Sequence, residues 1–273
     1  MIPAKFDYSR AESAAEAISQ LTEYGDEAKL LAGGHSLLPL MKLRLATPAR
    51  LIDIGRVSEL AYVRDAGDHL EIGALTRHRA LETNPLVRAH APVLAHVAGQ
   101  VGDPQVRHRG TIGGSISHGD AASDLPAAVL ALNGTFLVRG PGGEREIAAS
   151  QFHLGFLETA LRPDELLTEI RIPKSEGTTW SFQKFNRRAQ DWAIVGVVAV
   201  RNGSTAIGLV NMGSVPLRAA AVEAAVAGGA SAADAAALAG EGTEPSSDLN
   251  ASSEFRKHLA RVLVRRALEE VGA

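Results

Sequence analysis

The chain reads as an α+β protein of two domains, and three observations lead there. A helical pattern followed by two short apolar runs opens the chain as a small β-α-β-type unit. From about residue 60 the pattern changes to short strand-like segments alternating with helical ones. Near residue 174 the composition shifts again: three strand-like segments in succession lead into alanine-rich helices, the pattern of a smaller α+β C-terminal domain with a three-stranded antiparallel sheet. The expected division is 1–174 and 175–273, with parts of about 1–55 and 56–174 inside the first.

Ser9-Arg10-Ala11-Glu12 has the form of a capping box, and Ala14, Ile18, Leu21 and Tyr24 then recur at helical spacing up to Gly25, predicting a helix over 10–24. The apolar run 28–32 predicts a strand. A loop at Gly33-Gly34 follows, then a second strand at 51–54. Strands are expected at 60–63 and 70–72, and helices at 76–82, preceded by Thr76, and at 86–101, entered through Asn84-Pro85. Residues 134–138, 144–147 and 165–172 read as strands, with Gly140-Pro141-Gly142-Gly143 as a turn and Pro163 and Pro173 bracketing the last. Beyond the shift come strands 181–185, 193–201 and 205–211, helices 217–227 and 231–239, a polar loop 240–248 and a helix 253–271. That helix carries Arg256, Lys257, Arg261, Arg265 and Arg266 around a stripe of Phe255, Leu259, Val262 and Leu263, and reads as having a solvated basic face.

With 45% hydrophobic and 22% charged residues and a formal charge of −3, the composition is that of a globular protein and gives no reason to expect nucleic acid or an anionic membrane as partner. The opening MIPAKFDYSRAES lacks an apolar signal core and no run of about 18 apolar residues occurs, so the expectation is a cytoplasmic protein without a membrane span. Cysteine is absent altogether. The chain therefore forms no disulfide, thiolate zinc site, ordinary iron–sulfur cluster or cysteine nucleophile. If it handles electrons, the carrier is an organic cofactor or a partner's cluster.

Two glycine segments carry the chemistry. Ala32-Gly33-Gly34-His35-Ser36-Leu37 and Thr111-Ile112-Gly113-Gly114-Ser115 each place a glycine pair beside small hydroxyl residues. Amides exposed by glycine turns, with Ser and Thr hydroxyls, form a nest for a phosphate oxygen, and two nests suit a diphosphate. Neither is a Walker loop or a Rossmann turn. Close packing is the other reading of each pair. His118, Asp120 and Asp124 flank the second segment; Asp124-Leu125-Pro126 looks like a helix entrance where a carboxylate caps open amides, and no metal site is expected.

AGGHSLLPLMKLR together with TIGGSISHGDAASDLPA resembles the FAD-binding medium subunit of the molybdenum hydroxylases, the xanthine dehydrogenase and carbon monoxide dehydrogenase family. DELLTEIRIP at 164–173, FQKFNRRAQDWAIVGVVA at 182–199 and VPLRAAAVEAAVAG at 215–228 resemble its later segments in the same order, so the likeness spans essentially the whole chain. It implies a two-part FAD-binding domain of the vanillyl-alcohol-oxidase type and a C-terminal α+β domain. It also implies noncovalent FAD, with 32–37 and 111–115 around the diphosphate, Asp124 toward the ribose and adenine side, and Leu166, Leu167 and Lys184 near the isoalloxazine. Trp192 matches a position where an aromatic lies near the flavin; strand or interface packing is its other reading. The family commonly has Asn at Ser115 and Asp-Pro at Asp120-Ala121.

The role so implied is an electron relay with no catalytic side chain of its own. A large molybdenum subunit oxidises substrate, a small subunit with two [2Fe–2S] clusters carries electrons, and FAD on this chain passes them to quinone, NAD or oxygen, within a dimer of heterotrimers. Two alternatives stay open: a stand-alone flavin oxidase with FAD linked to His35, and a non-catalytic assembly module.

Overall fold

In a computed structural model that describes residues 2–174 and 177–273, the chain builds three main sheets. The first is parallel. β1 (Asp7–Arg10), β2 (Ala28–Leu31) and β3 (Arg50–Asp53) lie in the order β1-β3-β2, with α1 (Ala14–Tyr24) before β2 and α2 (Leu37–Lys42) after it. Helix α1 buries Ala14, Ala17, Ile18 and Leu21 in the core of this lobe. Its cap lies later than expected. Ser13 accepts the Glu16 N–H at 3.1 Å, and Glu16 Oε2 accepts the Glu12 N–H at 2.8 Å. Ser9, the expected cap, belongs to β1, a mostly exposed edge strand whose residues carry no apolar alternation. Ser13→Ala is expected to lower stability by about 1 kcal/mol, read as a shift of the denaturation midpoint at unchanged slope.

The second sheet is antiparallel and rests on a helical layer. The chain runs through β4 (Val63–Asp65), β5 (His69–Gly73), α3 (His78–Thr83), α4 (Pro85–His90), α5 (Pro92–Gly99), α6 (Pro104–Arg109), α7 (Ile112–His118) and α8 (Asp124–Ala131). It continues as β6 (Thr135–Gly140), β7 (Gly143–Ala148), α9 (Ala149–Phe152), β8 (His153–Gly155), β9 (Glu158–Thr159) and β10 (Leu166–Pro173). The sheet order is β4-β5-β10-β6-β7, while β8 and β9 form a small hairpin apart. Strand β10 joins the lobes, because Leu166 enters the first core and Leu167 the second. The single helix expected over 86–101 is two. Pro92 has no N–H to donate and keeps Ala91 out of helical geometry (φ −144°, ψ 59°). Thr76 caps nothing; its hydroxyl donates to Tyr62 O at 2.9 Å.

The third sheet has one strand more than expected: β11 (Thr179–Phe185), β12 (Val195–Asn202), β13 (Ser204–Val210) and β14 (Leu217–Arg218), followed by α10 (Ala220–Ala227), α11 (Ala232–Ala237) and α12 (Ser253–Val271). Both faces of β12 are covered. Val195, Val197 and Ala199 face the core built with the last three helices, and Val198 and Val200 join the core of the second sheet. Gly208 lets α8 press flush on β13, since a Cβ there would stand 2.4 Å from Ala127 O. The basic face of α12 is solvated only in part. Arg256 is 1% exposed and donates to Ile194 O and Asp248 Oδ2, whereas Phe255, expected in the apolar stripe, is 43% exposed.

Candidate functional site

A cleft of about 620 Å³ opens where the parallel lobe, α7, the start of β10 and the C-terminal sheet meet. Its first wall is the segment from Ala32 to Leu37, between β2 and α2. Gly34 adopts φ +79°, the left-handed region that glycine favours. The turn leaves the N–H groups of Gly33, Gly34, His35, Ser36 and Leu37 without an acceptor among the described residues, and Ser36 makes no side-chain cap. A row of open amides around a left-handed turn is an anion nest. Beyond it the chain stays largely at the surface. Only Met41 of α2 is buried, while Leu38, Leu43 and Leu45 are exposed.

The second glycine segment is not a loop. Thr111 caps α7, accepting the Gly114 N–H at 3.1 Å, and Gly113 and Gly114 fall in the first helical turn. The N–H groups of Ile112, Gly113 and Ser115 donate to Thr76 O, Ala74 O and Thr111 O. Few amides remain to bind anything here. The segment offers the exposed face of Gly114, the Thr111 and Ser115 hydroxyls and a helix N-terminus. Gly113 is needed for packing: its Cβ would meet the Ala74 Cβ at 2.5 Å. Ile112 is fully buried in the core and, alone among the residues expected to bind the cofactor, does not line the cleft. The two segments touch at Gly33, where a Cβ would stand 2.4 Å from Arg109 O and 2.9 Å from Gly110 Cα.

Asp124 and Lys184 meet across the domains. Asp124 opens α8 but caps no amide; Oδ2 accepts Lys184 Nζ at 2.7 Å, and Nζ also donates to Gln100 O at 3.1 Å. The expectation put these residues toward opposite ends of a dinucleotide, and the direct pair places them together. Both side chains are buried, and Asp124 Oδ1 has no partner among the described residues. Burial pushes the Asp124 carboxyl above the usual carboxylate range, and the Lys184 ammonium offsets part of that rise.

The profile of the FAD binding domain in molybdopterin dehydrogenase matches residues 4–175, and that of the CO dehydrogenase flavoprotein C-terminal domain matches 180–271. The chain belongs to this family of FAD-binding medium chains. The carbon monoxide dehydrogenase medium chain of Hydrogenophaga pseudoflava is 40% identical over 100% of this chain and 99% of its own. The glyceraldehyde dehydrogenase medium chain of Sulfolobus acidocaldarius is 37% identical over 99% and 100%. Among solved structures, carbon monoxide dehydrogenase from Hydrogenophaga pseudoflava matches with a TM-score of 0.96 at 42% identity, covering 100% of this chain and 99% of that one. Quinoline 2-oxidoreductase from Pseudomonas putida matches at 0.93 and 32%, covering 99% and 98%. The expected two-domain α+β fold and the resemblance are thus borne out. The chain is a medium FAD subunit of a heteromeric molybdenum hydroxylase, an oxidoreductase.

Around the medium chain's cleft, Leu166 and Leu167 form a largely buried apolar wall, and Trp192 stands at the rim, 56% exposed. Further stretches that sequence reasoning passed over also line it. Val101-Gly102 precedes α6, with Gly102 at φ +53°; the Gly-Asp-Pro that follows is a readable turn and helix start. The β8–β9 hairpin contributes Leu157 from its turn and Glu158 and Thr159 from β9, a strand too short to show alternation. His78, at the start of α3, is a solitary histidine with no motif around it. No helix among the described residues is long and apolar enough to cross a membrane.

Proposed function

We propose that the cleft holds FAD noncovalently and that this chain receives electrons from two [2Fe–2S] clusters on a small partner subunit, reduced in turn by a large molybdenum-binding subunit. The electrons leave for an external acceptor of the quinone, NAD or oxygen class. The complex is cytoplasmic and a dimer of heterotrimers. In this reading 1–174 is the cofactor domain, with lobes of about 1–55 and 56–174, and 175–273 is the C-terminal domain. The observation that carries the proposal is the row of open amides from Gly33 to Leu37 facing the Thr111-capped end of α7.

The amides of that row bind diphosphate oxygens, helped by the Ser36, Thr111 and Ser115 hydroxyls and the positive end of α7. Asp124 Oδ1, buried and unpartnered, is an acceptor waiting for a hydroxyl or N–H donor of the cofactor. Lys184 supplies the positive charge beside it and ties the C-terminal domain to the site. Leu166 and Leu167 exclude water from one wall, and Trp192 covers the mouth. Bound flavin accepts electrons singly or in pairs, which is the chemistry a relay needs. The absence of cysteine agrees with clusters held elsewhere. Medium chains named for a carbon monoxide, a glyceraldehyde and a nicotine enzyme, and the beta subunit of a caffeine dehydrogenase, are all 34–40% identical to this one. Chemistry common to such different enzymes is electron handling, so substrate choice belongs to another subunit.

Purification from the native source tests this. The expected result is co-purification with two partners carrying molybdenum and iron–sulfur centres, and acid precipitation that leaves the flavin in the supernatant. A lone yellow chain whose flavin stays in the pellet would establish the oxidase with a His35 linkage instead. A colourless chain that takes up no FAD would leave an assembly module.

A further inference from the structure

His78 is a polar side chain of the cleft that neither the glycine segments nor the Lys184–Asp124 pair accounts for. Its backbone N–H donates to Gly110 O at 3.0 Å, and its ring packs edge-on against Gly110. A Cβ on Gly110 would stand 2.6 Å from the ring's Cδ2 and 2.7 Å from its Nε2. Gly110 in turn abuts Gly33, so the imidazole sits directly behind the contact between the two glycine segments. There it forms part of the cleft wall beside Val101, Gly102 and Val106, and it is only 4% exposed.

Among the described residues nothing bonds either ring nitrogen. Nδ1 is buried without a partner, and no protein group hydrogen-bonds Nε2. Burial, reinforced by the Arg77 and Arg107 charges nearby, lowers the pKa of the imidazole to about 4. At neutral pH the ring is therefore uncharged, with one N–H and one lone pair. A buried polar side chain with both ends open destabilises the fold and is normally satisfied by something. The Arg77 and Arg107 guanidinium groups nearby favour an electron-rich ligand atom on the open side.

We propose that His78 is a cofactor-binding residue whose neutral imidazole donates a hydrogen bond from Nε2 to an acceptor oxygen of FAD. The inference rests on the reading that the cleft holds FAD. A diphosphate oxygen and a ring carbonyl share the required chemistry, and the flavin potential separates them.

The test uses the full chain stripped of flavin and titrated with FAD. His78→Phe keeps a planar ring and removes the donor; His78→Gln keeps an N–H within similar reach. The expected result is FAD binding weakened about tenfold in H78F, the loss of one hydrogen bond, and largely recovered in H78Q. Flavin-free H78F should melt no lower than the wild type, because the change also removes an unsatisfied buried group. A purely structural role would lower melting and binding together. In wild-type chain with 15N-labelled histidine, the His78 Nε2 resonance should move when FAD is added. If binding weakens at constant potential, the partner is the diphosphate; if the potential shifts as well, it is the ring. Equal FAD affinity in H78F and wild type, or a resonance that does not move, overturns the role of His78 while leaving the cofactor reading in place. A wild-type chain that binds no FAD overturns the cofactor reading itself.

Discussion

Alanine at position 33 is expected to cost the chain about 3 kcal/mol of stability and most of its flavin. The added Cβ would stand 2.4 Å from Arg109 O and 2.9 Å from Gly110 Cα, both backbone atoms that cannot swing aside as the end of a side chain does. Arg109 O is also held by the Arg77 guanidinium. One of the two glycine segments must therefore move. If the first moves, the row of open amides loses its shape; if the second moves, Gly110 carries His78 and the Thr111 cap with it. The effect is one of contact, since Gly33 is not in the left-handed region, in contrast to Gly34 at φ +79°. Equilibrium denaturation and the flavin-to-protein ratio check the prediction. Gly142→Ala, where nothing lies within 4 Å of a Cβ, should stay within about 0.5 kcal/mol of wild type. A G33A chain that unfolds at the wild-type midpoint with full flavin would show that the two segments need no close contact.

Lys184→Met is expected to be as damaging, by about 3–5 kcal/mol in the flavin-free chain, for an electrostatic reason. It leaves the Asp124 carboxylate buried at 6% exposure with neither oxygen bonded, since Oδ1 is already without a partner. The double variant K184M/D124L, apolar at both positions, should recover most of the loss, so that the two changes are strongly non-additive. The pH dependence has a definite sign. Burial raises the folded-state pKa of Asp124 above its ordinary value of 3.8, so its folded form takes up a proton more readily than its unfolded form. Folding is therefore favoured below 3.8, and that contribution is lost as pH rises through the folded-state value. Without Lys184 the rise is larger. The deficit of K184M should accordingly be greatest near neutrality and shrink as the medium is acidified toward the ordinary carboxylate value. Denaturation midpoints of the two proteins measured across that range decide it; a deficit independent of pH would mean that lost packing, not an unpaired charge, is responsible.

The elements legible in the sequence are those whose stability is local or whose burial is one-sided. Helix α1 declared itself through Ala14, Ile18 and Leu21, and α12 through Leu259 and Leu263. Strands β6, β10, β12 and β13 are apolar or alternating over six to eight residues and fall close to their expected bounds, while β7, mostly charged, is placed by the turn before it. Strands β1, β8, β9 and β14 have four residues or fewer and little apolar content, so only their partners define them. The break between α4 and α5 did have a signal, Pro92, which outweighs the continuous apolar pattern around it because a missing N–H cannot be compensated by burial. Arg256 defied the basic-face reading because a loop carbonyl at Ile194 and a carboxylate at Asp248 converge on it from 62 and 8 positions away.

The site divides along the same line. Residue order marked two glycine segments rich in hydroxyls, the absence of cysteine ruled out thiol and cluster chemistry, and five motifs in sequence order carried the family likeness that the whole-chain matches bear out. Such features are properties of residue type and order, and they survive without coordinates. Which segment keeps its amides open was a matter of packing: both contain Gly-Gly, but Ala74 and Thr76 offer carbonyls to the second and, among the described residues, nothing offers them to the first. The pairing of Asp124 with Lys184, 60 residues apart, and the open nitrogens of His78 behind Gly110 likewise arise only when separate elements are pressed together. A hydrogen bond depends on distances of tenths of an ångström, and those distances are set by the core, not by position along the chain.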